Sequence, residues 1–419
     1  MTTDANTYSK PSSYSEVLTI RSFRSLWFAQ IFSQLAINTL LFVLGLRIYQ
    51  NTGSNTAVSG LFLAYGIPSV LFGMIAGTAV DHLDKRRMLM YCDILRGGLV
   101  LLLLFVSSNI FLVYLVTFVN AVITQFYVPS EAPLIPRLVP SELLVPANSL
   151  FSFTFYSSLA VGTVLSGPLL RGLGPQWIFL VISALFFFAV WFESRLPSQA
   201  VGVFGFTNIF QYHIPHMVSR IFEELFEGIR YVRTSPALLD SLLLLTGTQI
   251  IFAMLGTLGP GFADRVLHID VRDASLYIVG PAVLGIIAGA LWVGVRGYKL
   301  KPNRLIKLGV TGAGVILLLI SLTVRIHVAL IIEMVLFFCL GAANSLLDAP
   351  ANSILQDEAK GSMRGRVYGM LTAAVGGVGV LPVIIGGVLA DVVGVGHVIL
   401  LLGLIILTYG IWRMKYNKE

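Results

Sequence analysis

The chain has 419 residues, of which 56% are hydrophobic and only 12% charged, with a mean hydropathy of +0.85 and a formal net charge of +7. A soluble domain of this size would carry roughly twice that share of charge, so a soluble enzyme is excluded. Apolar runs of about 20 residues, enough to cross a hydrocarbon core about 30 Å thick, recur along the whole length and leave almost nothing for a separate catalytic domain.

Residues 1–20 are polar and lack the charged start and short apolar core of a cleaved signal, so they read as an N-terminal tail. Twelve spans follow, at about 25–48, 57–80, 88–107, 110–128, 147–170, 175–194, 237–261, 274–296, 305–324, 327–347, 366–389 and 395–412. Span one carries Gln30, Gln34 and Asn38 at i, i+4 and i+8, a single polar stripe. An amide facing lipid without a partner costs several kcal/mol, so the stripe should face protein or a watery cavity. Span two runs through GMIAGTAVDHLDKRR at 73–87, an apolar helix ending in an acid and a basic turn. Span four offers Thr117, Asn120 and Thr124 on one face.

The longest polar interruption, 195–236, separates spans one to six from spans seven to twelve. Its segment 217–233 sets Ile221, Phe222, Leu225, Phe226 and Ile229 on one stripe and charged residues opposite, which suits an amphipathic helix in the headgroup layer. The chain therefore divides into a tail (1–20), a six-span bundle (21–194), a linker (195–236), a second bundle (237–412) and a tail (413–419). His213 and His216 in the linker have H-x-x-H spacing but no third ligand nearby, so no metal site is expected. Span seven offers Thr246 and Gln249, and span ten Asn344. Glu333, about two turns into span ten, is an acid buried in the apolar stretch, and it could pair with Arg47 or Arg325 or carry a proton.

Two echoes suggest a duplication. GIIAG at 285–289 repeats the GMIAG of 73–77, 212 positions later. The 348–364 segment follows the pattern of 127–143 at an offset near 221, aligning Pro129 with Pro350 and Leu134 with Leu355. Basic residues gather on the side of the N-terminus and the even-numbered turns, including Lys85, Arg86, Arg87, Arg220, Arg364 and Arg366. That sorting places both termini in the cytoplasm and the chain in the cell membrane, with lipid and not nucleic acid around it. Two parallel repeats of six spans are the plan of a two-lobed carrier.

The loop after span two resembles the signature of the major facilitator superfamily: Gly77, Asp81, Lys85, Arg86 and Arg87 stand at its places, with Asp84 where a second Gly is usual. That change, Asp93-x-x-Arg96, the 128–150 segment and Arg364-Gly365-Arg366 are similar to a bacterial branch of macrolide-efflux-like and siderophore exporters. The resemblance implies an all-α membrane protein of twelve helices in two pseudo-symmetric six-helix bundles. It also implies a secondary transporter moving an amphipathic small molecule by alternating access, with proton-coupled efflux the expected drive and a monomer the expected state. By the same resemblance the substrate lies between spans one, four, seven and ten, against Gln30, Gln34, Asn38, Asn120, Thr124, Thr246, Gln249 and Asn344. Asp81 would sit against the start of span eleven, where Arg364 and Arg366 and the helix dipole attract it, a contact contributing about 1–3 kcal/mol that gates the cytoplasmic side. A siderophore or lysolipid is the alternative cargo, and a non-transporting receptor or assembly factor the alternative class. No Walker sequence with its Lys and no nucleophile–base set appears, so neither a cofactor nor an enzyme is expected.

Overall fold

The computed structural model describes residues 14–198 except 82, residues 227–326 except 228–229, and residues 329–416 except 360–362, 364–366, 368–369, 372–373 and 376–378. Among these residues there are ten helices long and apolar enough to cross a membrane, and a shorter apolar helix at Val380–Val393. The count reaches twelve because one of the ten is two arms. The 144–193 helix breaks at Gly174, whose φ of 84° is open to glycine at little cost, and Pro175 starts the return arm. We number the membrane helices α1 (Arg21–Thr52), α2 (Asn55–Asp81), α3 (Lys85–Val106), α4 (Ile110–Glu131), α5 (144–173) and α6 (175–193). The second set is α7 (Pro236–Arg265), α8 (Gly280–Arg296), α9 (Pro302–Ile326), α10 (Leu330–Glu358), α11 (Val380–Val393) and α12 (Val395–Tyr416).

Helix ends follow local capping chemistry. Asp84, Asn109 and Ser235 each accept from the backbone N–H three residues on, starting α3, α4 and α7. Asp84, which departs from the usual loop signature, thus caps a helix. Gly53 closes α1 with a φ of 64°.

Packing repeats between the halves. The α1·α5, α2·α4, α3·α4 and α3·α6 pairs of the first lobe recur as α7·α11, α8·α10, α9·α10 and α9·α12 in the second. Small residues permit the close crossings: a Cβ on Gly285 would overlap the Phe338 carbonyl and one on Gly341 the Ala282 carbonyl, which locks α8 to α10. The lobes join along α2·α11 and α5·α8. We call the end of the bundle where α1 starts and α12 ends proximal and the other end distal.

One expectation lies beyond view and two change. The amphipathic linker helix falls largely outside the described residues, with only Glu227 and 230–232 of it seen as helix. α12 continues to Tyr416, so Arg413, read as the start of a tail, is a helical residue 1% exposed. The GIIAG echo is out of step with the packing: matched glycines at the lobe junctions, Gly167 and Gly387, lie 220 positions apart, close to the 221 of the other echo.

Candidate functional site

The polar stripe of α1 divides between two surroundings. Gln30 is 4% exposed, its Nε2 donating to the Phe151 carbonyl of α5 at 3.4 Å. Gln34 and Asn38 are half-buried, with Asn38 Nδ2 donating to the Gln34 carbonyl of its own helix. In α4, Asn120 is 1% exposed and both its side-chain polar atoms lack a hydrogen-bond partner, while Thr124 donates to the Asn120 carbonyl. In the second lobe Thr246 is half-buried, Gln249 is exposed, and Asn344 lines a small cavity with Phe252, Gly309 and Leu347. Gln30 and Asn120 are thus embedded within the first lobe, whereas Gln34, Asn38, Thr246, Gln249 and Asn344 remain partly open.

Among the described residues, the named contacts between the lobes lie at the distal halves of their helices. Asp391, at the distal end of α11, caps the start of α2: it accepts from Ser54 Oγ (2.6 Å), the backbone N–H and Nδ2 of Asn55 (2.9 and 3.0 Å), and the backbone N–H and Oγ1 of Thr56 (2.9 and 2.7 Å). An anion at a helix N-terminus meets unpaired N–H groups and the positive end of the dipole. Gly387, one turn back, allows the approach, since a Cβ there would overlap Ser59 Oγ.

The matching junction joins α5 to the start of α8. Arg171, 220 positions before Asp391, bonds Asp273 at 2.6 Å, and a Cβ on Gly167 would overlap the Arg272 carbonyl. Asp270, in the loop before α8, is held down to about 2 by hydrogen bonds from Arg272, with Arg171 adding attraction. Between these two junctions Tyr49 of α1 donates to Asp264 of α7 at 3.1 Å and Arg265 to the Gly53 carbonyl.

The proximal end of the first lobe holds a buried ionic cluster. Asp93 and Arg96, one turn apart on α3, pair at 2.9 Å at 0% and 2% exposure. Ser33 of α1 donates to Asp93 at 3.1 Å and accepts from Arg96 at 3.2 Å. The Arg96 guanidinium lies 4.5 Å from the ring centre of Tyr127 on α4, and the Tyr127 hydroxyl faces Glu131 at 3.5 Å. Glu131 (8% exposed) and Glu193 (0%), the last residues of α4 and α6, both lie within electrostatic reach of Asp93 and Arg96. Tyr127 is itself 2% exposed inside this cluster.

The remaining loop residues separate. Lys85 is 4% exposed and donates to the Val80 carbonyl at 3.5 Å. Arg86 bonds the Ser194 carbonyl beside α6, and Arg87 is exposed. The side chains of Gly77 and Asp81, and residues Arg364 and Arg366, lie outside the described residues, and the expected Asp81 gate lies there with them.

Glu333 is 1% exposed beside Thr323, with Oε2 unpaired. The pairing with Arg47 is overturned. Arg47 donates instead to the Pro175 carbonyl at 2.5 Å and to Ser107 at 3.2 Å, which holds it in the first lobe, and the Arg325 side chain lies outside the described residues. Sequence reasoning missed Glu193, Arg413, Asp264 and Asp391. Each stands at the end of an apolar run, where a charge reads as flanking loop. No group of three His, Cys, Asp or Glu able to hold a metal ion occurs among the described residues.

Comparison with known proteins completes the description. The family model described as Major Facilitator Superfamily matches residues 26–381. Macrolide efflux protein A of Streptococcus pyogenes is 22% identical over 418 residues, covering 94% of this chain and 96% of its own. Enterobactin exporter EntS of Escherichia coli O1:K1 is 24% identical over 357 residues, covering 84% and 81%. A bacterial homologue of the human lysosomal transporter Spinster, solved in an inward-facing and unoccupied conformation, shares the fold at a TM-score of 0.68 and 13% identity, covering 94% of this chain and 96% of that one.

Proposed function

The chain belongs to the Major Facilitator Superfamily, and on that premise we propose that it is a proton-coupled exporter of an amphipathic small molecule, working by alternating access as a monomer in the cell membrane. The observation that carries the reading is that, among the described residues, the named lobe contacts lie at the distal halves of their helices. Two lobes joined along α2·α11 and α5·α8 at one end can rock about a central cleft, as alternating access requires. The sorted basic residues support a cytoplasmic proximal end and termini. In that orientation the distal junctions stand on the outer side.

Gln34, Asn38, Thr246, Gln249 and Asn344 are the polar groups offered to a cargo, and Gln30, Asn120 and Thr124 support them from within the lobe. In the opposite state Asp81 meets the start of span eleven with Arg364 and Arg366, closing the cytoplasmic side as Asp391 closes the outer one. Export, and a macrolide-like or siderophore-like cargo, are drawn from the named relatives.

The experiment is efflux from an energised host stripped of its own drug pumps. Expression should lower the accumulation of a macrolide, the effect should vanish with a protonophore, and Asp81→Asn should lose it while inserting normally. Export of a catecholate siderophore alone would move the reading to that cargo. Zero flux for every solute would return the chain to the receptor class.

A further inference from the structure

We propose that the cluster of Asp93, Arg96, Glu131 and Glu193 is a proton-binding site, in which one exchangeable proton is shared between the carboxyls of Asp93 and Glu193. The inference deepens the exporter reading and rests on it for the use of the proton, though not for its binding.

The argument begins with charge balance. Among the described residues, Asp93, Arg96 and Glu131 are charged groups in reach of Glu193, so that with Glu193 itself three acids face one guanidinium. Arg96 is committed to Asp93 and stacked over Tyr127. Nearby cations are turned elsewhere: Arg86 binds the Ser194 carbonyl, and Arg195 lies 3.5 Å from the centre of the Trp191 ring. If all three acids were ionised, the cluster would hold a net charge of −2 at 0–8% exposure. An unpaired charge away from water neutralises by taking a proton.

A second, independent observation locates that proton. Glu193 is fully buried, yet neither of its carboxylate oxygens has a hydrogen-bond partner, and one oxygen of Asp93 is unpaired too. The two carboxyls nevertheless stand within hydrogen-bonding reach of each other. Two ionised carboxylates have nothing to donate, so the approach becomes a bond only when one of them is protonated. The other groups facing the pair are Ser33 from α1, Cys92 from α3, and Tyr127 and Glu131 from α4, with Tyr65 of α2 beside Arg96.

Placement gives the proton a consequence. Ser33 ties Asp93 and Arg96 to α1, the helix that also presents Gln34 and Asn38 and reaches α7 through Tyr49 and Asp264. When the proton leaves, the two carboxylates repel each other and Arg96 must be shared among three anions. That rearranges the contact with α1, and so the lobe junction.

The test is infrared titration of the purified full-length protein in liposomes. The wild type should show the carbonyl stretch of a protonated carboxylic acid, shifted in heavy water and lost as the pH is raised. Glu193→Gln and Asp93→Asn should lose that band, Glu193→Asp should keep it at a shifted position, and Glu333→Gln should leave it unchanged. Retention of Glu193→Asp separates loss of the proton from loss of the fold. No titrating band in the wild type, a band untouched by both cluster variants, or one removed only by Glu333→Gln would overturn the assignment. Macrolide efflux under an imposed pH gradient separates the two readings. A titrating band without efflux of any cargo removes the exporter and leaves the proton site. Gradient-driven efflux undiminished in Glu193→Gln overturns the use of this proton in transport and leaves the exporter.

Discussion

The proximal ends of the two lobes occupy matching places in a repeated fold yet solve opposite electrostatic problems. Glu193 and Arg413 stand 220 positions apart, near the proximal ends of α6 and α12. In the second lobe Arg413, 1% exposed, forks onto Asp240 of α7 at 2.5 and 2.6 Å and reaches Asn303 and Tyr409, so one cation meets one anion. In the first lobe Glu193 meets two further acids and a single arginine already engaged. A one-to-one bidentate pair is closed chemistry with no reason to exchange a proton. An excess of buried acid is open chemistry that exchanges one readily. One lobe is built as a fixed body and the other as a responsive one.

The largest effect should come from breaking the closed pair. Asp240→Ala leaves a buried guanidinium without its anion, a change that costs about 3 kcal/mol when a buried pair loses one partner. The third of Asp240 that remains exposed is the reason for taking the low end of that range. Thermal unfolding in detergent should show a clear drop. An unchanged midpoint would mean that Arg413 finds water as easily as its partner, and the contrast between the lobes would fail.

The same asymmetry recurs at the distal junctions, where matching positions carry Asp391 and Arg171. Asp391 accepts five bonds at the α2 N-terminus, two of them from backbone N–H groups. Arg171 is half exposed and makes one short contact, with Asp273. Asp391→Ala should therefore shift the balance between distal-closed and distal-open states by about 2 kcal/mol, roughly thirtyfold. Arg171→Ala should shift it by less than about 1 kcal/mol, the worth of an exposed pair. Spin-label distances across the distal face would read both shifts. Equal shifts would show that the two junctions share the load.

Acid titration distinguishes the junctions further, with a smaller effect. Asp270 has its carboxyl held down to about 2 by Arg272, so its contribution is complete above the ordinary carboxylate range near 4 and is lost as the pH falls through about 2. Between neutrality and about pH 5 the α5·α8 junction should not respond to protons. A distal distance that changes over that interval in the wild type but not in Glu193→Gln would place the sensor in the first-lobe cluster. A change that persists in Glu193→Gln would place it elsewhere.

How much of this was legible in the sequence depends on how local the cause is. The twelve spans could be read because each needs only its own run of apolar residues. The duplication could be read from Pro129 and Pro350, whose offset near 221 agrees with the 220 of the junction glycines. The GIIAG echo misled by eight residues, about two helical turns, because short Gly-Ala patterns recur wherever helices cross closely. Asp93 and Arg96 were noticed as a motif, but their burial depends on Ser33, Tyr127 and Glu193, which come from three other helices. Glu193 and Arg413 could not be ranked at all, because a charge ending an apolar run looks the same whether it meets water or a neighbouring helix. A search for charges within one turn of a span end, compared between repeats at a fixed offset, would have found both.

The smallest predicted effect decides most. Replacing one member of a structural ion network normally leaves its partners unpaired and costs stability. Glu193→Gln should behave differently, because the ionised Glu193 has no partner to strand and the protonated one is close in shape to glutamine, whose NH2 can donate to Asp93 as the carboxylic proton does. The variant should unfold within about 0.5 kcal/mol of the wild type, while Asp240→Ala in the other lobe falls by several times that. A large loss in Glu193→Gln would show that its negative charge is needed by a cation, which would make the first-lobe cluster a fixed ion network like the pair in the second lobe. A neutral result joined to loss of the titrating carboxyl would show that the acid serves the proton and not the fold.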